Sequence, residues 1–313
     1  MTPPLSRSAE PVSIADAAVA SPPAEAPAPL PPEIAWGHRF EQFSLMHGVT
    51  VLCCMLLIAG VVYIGRRQRR LNRLARGVAD GPGQLLGMIA IGHWVLYQLW
   101  WQFPVRYGND FRLPLQLCDL AGLVAGLALL TGNRLLTTTL YFWAFALSTQ
   151  AFVTPIVTVG PAHARFWLFW ESHTIIVGSA VYAVAVRGYR PHGRDFLAGV
   201  LATLAYTAVV LPINIFYGWN YGYIGRGTPD APTVIDRLGP WPFRLIPLAT
   251  LVFGAFVIVY LPWLLADRFG RRTADTADDV PHRRTIRLPR HRLRLPARRL
   301  RRRAAPPADR PGP

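Results

Sequence analysis

The chain has 313 residues, 52% of them hydrophobic and only 16% charged, with a mean hydropathy of +0.25. A water-soluble domain carries more charge than this, which argues against a soluble enzyme or binding module. The formal net charge of +16 contains no lysine, and Arg66–Asp80 and 266–313 together supply 15 of its 16 units. Arginine-only basicity alongside abundant Ala, Gly and Pro reads as GC-rich codon usage rather than selection for bidentate chemistry. A soluble nucleic-acid binder gathers its excess charge on a folded face. Here the excess flanks apolar segments, so no nucleic-acid partner is expected.

Residues 1–33 are rich in Pro and Ala and show no apolar period. They read as a disordered arm and lack the order of basic start, apolar middle and cleavage site of a signal peptide. The domain that follows, 34–265, holds seven apolar stretches at roughly 43–64, 84–103, 113–131, 135–153, 166–186, 196–217 and 244–265. Each approaches the length of a helix that crosses the hydrocarbon core. The expected fold is all-α: a seven-helix transmembrane bundle with tails.

Arginine placement sets the expected orientation. Six arginines, Arg66 to Arg76, follow the first stretch. Positive charge marks the cytoplasmic side, which puts the N-terminus outside. The loops 132–134 and 187–195 and the tail then fall inside with Arg134, then Arg187, Arg190 and Arg194, then the tail cluster. The outer loops carry fewer, partly offset by Asp110, Asp230 and Asp236. Trp100, Trp101, Trp167, Trp170, Trp219 and Trp241 fall near the outer ends, where aromatic rings favour the interface. The C-terminus is therefore expected in the cytoplasm. The basic tail 266–313 reads as a disordered segment held on anionic lipid headgroups, each arginine contributing about 1 kcal/mol near the surface. The expected location is the cell membrane, of a bacterial inner-membrane type, with membrane lipids as partners and the oligomeric state open.

Polar side chains inside spans are costly and usually face a bundle interior. The third stretch carries Gln116, Cys118 and Asp119, and the fifth carries Glu171, Ser172 and His173. The fourth and sixth end outward with Gln150 and Asn214. At about 1.5 Å per residue, Cys118 lies roughly 7 Å, and His173 roughly 10 Å, below the outer end of its helix. These groups share a depth in the outer half, as the lining of one pocket would. Cys118 and His173 have chemical capacity, because a histidine can take the proton of a neighbouring thiol. Asp119 and Glu171 are candidates to orient the histidine. Neighbours on a helix diverge by about 100°, so at least one of these carboxylates has another partner. Gln116 and Asn214 are candidate donors to a developing oxyanion, and Asn220 opens an outer loop, Asn220–Gly239, that is a candidate lid. Tight packing is the competing reading for Cys118, since Gly122 and Gly126 form a small-xxx-small pattern beside it. Cys53 and Cys54 read as filler. No CxxC or His/Cys spacing appears, so no metal or cofactor is expected.

The segment Leu113-Pro114-Leu115-Gln116-Leu117-Cys118-Asp119-Leu120 resembles the LPLHLC-type segment of the YwaF family of bacterial integral membrane proteins. The likeness continues through Tyr141-Phe142-Trp143, Gln150 with Thr154-Pro155, Ser172-His173, Asn220-Tyr221-Gly222-Tyr223 and Gly239-Pro240-Trp241-Pro242. It covers about residues 36–265. That family looks related to eukaryotic multispan proteins implicated in phospholipid acyl transfer, in which a cysteine and a histidine are the proposed working groups. The resemblance thus implies a lipid-directed acyltransferase or acyl hydrolase. The chain departs from the pattern at Gln116, where histidine is usual, and at Ile156, where an acidic residue often follows Thr-Pro. A non-catalytic lipid or small-molecule binder, or a transporter-like bundle, stays open beside the enzyme.

Overall fold

The computed structural model describes residues 37–75, 80–102, 113–227 and 234–278. The expectations for the 1–33 arm, for the tail beyond Asp278 and for Arg76, Asp110 and Asp230 lie outside these residues. Two units divide the chain at Ala266, and every contact given below lies within Met1–Ala266. Of the second unit, the described residues 267–278 are helical.

Among the described residues there are seven α-helices and no strand, only an isolated bridge between Arg39 and Val159. They are α1 (Leu45–Ala75), α2 (Gly81–Gln102), α3 (Leu117–Thr131), α4 (Arg134–Phe142), α5 (Ala164–Ala185), α6 (Gly193–Tyr217) and α7 (Leu245–Asp278). Each falls on one of the seven apolar stretches. Four helices, α1, α5, α6 and α7, are long and apolar enough to cross a membrane.

The boundaries differ from the apolar stretches for local reasons. The first helix continues through the arginine segment to Ala75, because Arg, Gln and Leu lose little rotamer freedom in a helix. The third begins at Leu117 rather than 113: Pro114 sits in a turn in which Leu115 N–H reaches the Leu113 carbonyl at 2.8 Å. It ends at Gly132, whose φ of 65° suits a residue without Cβ. Asn133 caps α4, its side-chain oxygen accepting from Leu135 N and Leu136 N at 2.8 and 3.2 Å. The fourth stretch is not one regular helix. After Phe142 it passes through a π-turn, Trp143–Ser148, and a 3-10 turn, Thr149–Phe152.

α5 is the hub, packing against α1, α2, α3 and α4. Half of its apolar window is buried, against 17% for α1 and α6 and 6% for α7. The outward faces of the peripheral helices expose Leu52, Leu56, Leu57, Leu204, Val209, Leu251 and Ile258. So much contiguous exposed aliphatic surface calls for an apolar surrounding. On α7, Phe256 stacks on Phe142 with centroids 4.9 Å apart, and Trp263 Nε1 donates to the Tyr141 hydroxyl at 2.8 Å. At the arginine-flanked end, Arg134 pairs with Asp195, and Arg187 pairs with Asp80 at 2.7 Å.

Candidate functional site

The close approach of α2 and α3 starts with glycine. A Cβ at Gly126 would lie 2.5 Å from the Ile91 side chain and 3.1 Å from the Gly87 carbonyl oxygen. Toward the other end of these helices, beyond Gly122, α2, α3 and α5 draw apart around a cleft of about 30 Å³. It is lined by His93, Trp94 and Tyr97 of α2, Cys118 and Asp119 of α3, and Ser172 and His173 of α5. That volume holds about two water molecules and no acyl chain.

The hydrogen bonds fix where several protons sit. His173 Nδ1 lies 2.7 Å from the Phe169 carbonyl. A carbonyl only accepts, so Nδ1 carries hydrogen and Nε2 holds the lone pair of the neutral ring. His173 is buried, and its ring lies 4.4 Å from that of Phe169, centroid to centroid. The Cys118 thiol lies near the Ser148 hydroxyl, which donates to the Trp143 carbonyl across the π-turn at 3.0 Å. His93 Nε2 lies 2.8 Å from Ser172 Oγ, and Ser172 donates to the Leu168 carbonyl at 2.6 Å. With that hydrogen engaged, His93 carries hydrogen on Nε2. Its Nδ1 faces Glu171 at 3.7 Å.

Asp119 has a local structural position. It is the third residue of α3, after the N-cap Gln116, where a carboxylate suits the start of a helix. Near it lies the Gln98 amide, whose nitrogen and oxygen are buried with no hydrogen-bond partner among the described residues. Glu171 points outward, with 56% of its side chain exposed.

The remaining sequence candidates lie elsewhere. Gln116 Oε1 accepts from Gly222 N at 3.0 Å. Asn214 is fully buried and grips Tyr221 twice, accepting from its N–H at 2.9 Å and donating to its carbonyl at 2.8 Å. Asn220 Oδ1 accepts from Gly225 N at 3.0 Å. Gln150 is exposed on the 3-10 turn. Gln116, Asn214 and Asn220 therefore hold the Asn220-Tyr221-Gly222-Tyr223 turn on the start of α3, and do not line the cleft. The turn needs its glycine: Gly222 has φ 63°, and a Cβ there would sit 2.4 Å from the Tyr206 hydroxyl oxygen.

That turn carries Tyr223, which the sequence offered only within the Asn220-Tyr221-Gly222-Tyr223 motif. Burial first, and Cys118 second, push its phenol up to about 12, so it stays protonated at neutral pH. Among the described residues no three His, Cys, Asp or Glu side chains stand within reach of one metal ion.

Described residues that form helices and no strand, with four helices long and apolar enough to cross a membrane and with exposed aliphatic faces, define a multi-helix membrane protein. The sequence pattern of the TMEM164 family matches residues 38–260, most of the chain, and the chain belongs to that family. No curated protein and no solved structure matches it.

Proposed function

We propose that the cleft between α2, α3 and α5 performs acyl transfer or acyl-ester hydrolysis on a membrane lipid, with Cys118 as nucleophile and His173 as base. The single observation that carries this reading is that both side chains line one cleft, with the basic nitrogen of His173 left as Nε2. The chemistry balances with these groups alone. The thiol passes its proton to Nε2, and sulfur attacks the ester carbonyl. The C–S bond forms as the C–O bond breaks, and the departing alkoxide takes the proton from Nε2. A second hydroxyl, or water, then attacks the thioester with the same histidine as base, regenerating the thiol. Gln116 and Asn214 hold the turn and do not line the cleft, so neither is placed to donate to the oxyanion.

The reading includes a topology: seven spans, N-terminus outside and C-terminus cytoplasmic, in a bacterial inner membrane, as the arginine distribution and the YwaF-like motifs suggest. The cleft then opens toward the outer leaflet. One observation favours a second reading, a non-catalytic lipid binder. The cleft is too small for an acyl chain, so catalysis requires the helices to part. The test is labelling of native protein by a thioester-mimic acyl probe. The enzyme predicts a single adduct at Cys118, reduced at least tenfold by His173→Ala. Equal labelling of native and denatured protein contradicts it and leaves the binder.

A further inference from the structure

The same three helices that line the cleft also border a second, larger cavity at their other ends, and it serves no purpose in the acyl chemistry. Its volume is about 580 Å³. The walls come from the arginine segment of α1 (Gln68, Arg69, Asn72), the start of α2 (Asp80, Gln84), the end of α3 (Leu129 to Gly132) and the end of α5 (Val186, Arg187). About eleven residues of α3 separate it from Cys118, roughly 17 Å along the axis, so the two cavities are distinct.

Its charged groups divide into framework and free charge. Arg187 is fully engaged: Nε donates to Asp80 at 2.7 Å, and Nη2 to the Leu129 carbonyl at 2.6 Å. Asp80 is held in turn by the Tyr182 hydroxyl at 2.5 Å and by Gly83 N at 3.2 Å. This lattice neutralises itself and builds a rigid wall. Arg69 is different. Among the described residues it has no carboxylate partner, and its guanidinium reaches across to the α5–α6 turn, 4.0 Å from a Cβ built on Gly188. With Arg187 and Asp80 cancelling, the lining carries one uncompensated positive charge. Around it stand the amides of Gln68, Asn72 and Gln84, and an aliphatic edge of Leu129, Leu130 and Val186.

We propose that this cavity binds a phosphate oxyanion, with Arg69 as the charge that captures it and Gln84 as a neutral donor. A planar guanidinium matches two phosphate oxygens at once. Basic pockets between membrane helices on the arginine-rich side take lipid headgroups, and the aliphatic edge suits a ligand that carries acyl chains. Phosphatidylglycerol and a soluble phosphate ester share this chemistry.

The test is native mass spectrometry of the full-length protein in detergent, with dioleoyl-phosphatidylglycerol as probe and dioleoylglycerol, which lacks phosphate, as control. The expected result is retention of the phospholipid but not the diacylglycerol. Arg69→Gln should lose it at least tenfold, while Arg70→Gln, with the same charge change outside the cavity lining, should keep it. Gln84→Glu places a negative charge in the cavity and should expel the lipid too, which guards against a folding defect in Arg69→Gln. A second arm adds glycerol 3-phosphate alone: saturable, Arg69-dependent binding of it without phosphatidylglycerol binding assigns the anion to a soluble source. Equal retention by Arg69→Gln and Arg70→Gln, or equal retention of diacylglycerol, overturns the proposal.

Discussion

Ser148 lies near Cys118, and its hydroxyl donates to the Trp143 carbonyl. Ser148→Ala is expected to remove the hydroxyl near the thiol and raise the rate of acyl-probe labelling severalfold, at a stability cost of about 1 kcal/mol for the lost hydrogen bond to Trp143. A time course of labelling with a parallel thermal melt checks both. Asp80 gives a pH prediction away from the cleft. Burial pushes its carboxyl up, but the Tyr182 hydroxyl and the Arg187 guanidinium outweigh burial and hold it below the ordinary carboxylate value. A depressed native pKa stabilises the fold above the unfolded value near 4, and that contribution is lost as pH falls through the native one. The midpoint of thermal unfolding should therefore fall on acidification below about pH 4 in the wild type, and fall less steeply in Asp80→Asn.

At the scale of elements, the seven helices were legible because the apolar run of each is long and its ends are marked: Gly132 after α3, Asn133 before α4, Gly218 after α6. The irregular part of the fourth stretch was not legible. Trp143 to Phe152 contains no proline, and its π-turn follows from packing among Trp143, Ser148 and the neighbouring helices rather than from composition. The small-xxx-small pattern on α3 is used unequally. A Cβ at Gly122 would meet Trp94 at an ordinary 3.7 Å, whereas one at Gly126 collides with Ile91. Gly126→Val is accordingly expected to destabilise the protein by about 1–3 kcal/mol, as overpacking does, and more than Gly122→Ala. Differential thermal melts of the two variants in the same detergent decide the order.

For the whole molecule, hydropathy gave the class, and the shared depth of scarce polar groups pointed to Cys118, Asp119 and His173, which border one cleft. The same depth argument gathered Gln116 and Asn214 with them. It could not see that a turn more than a hundred residues away from Gln116 would need their hydrogen bonds. Nor could one-dimensional spacing show Arg187 consumed by Asp80 while Arg69 stands apart. Such facts depend on which helices are neighbours. The most direct measurement of the central claim is transfer of a labelled acyl chain from a phospholipid to a lysophospholipid by purified protein in nanodiscs. Wild type should form labelled product and Cys118→Ser should form none while still retaining lipid. Product formed by Cys118→Ser at the wild-type rate, or no product from a wild type that holds the lipid, contradicts it.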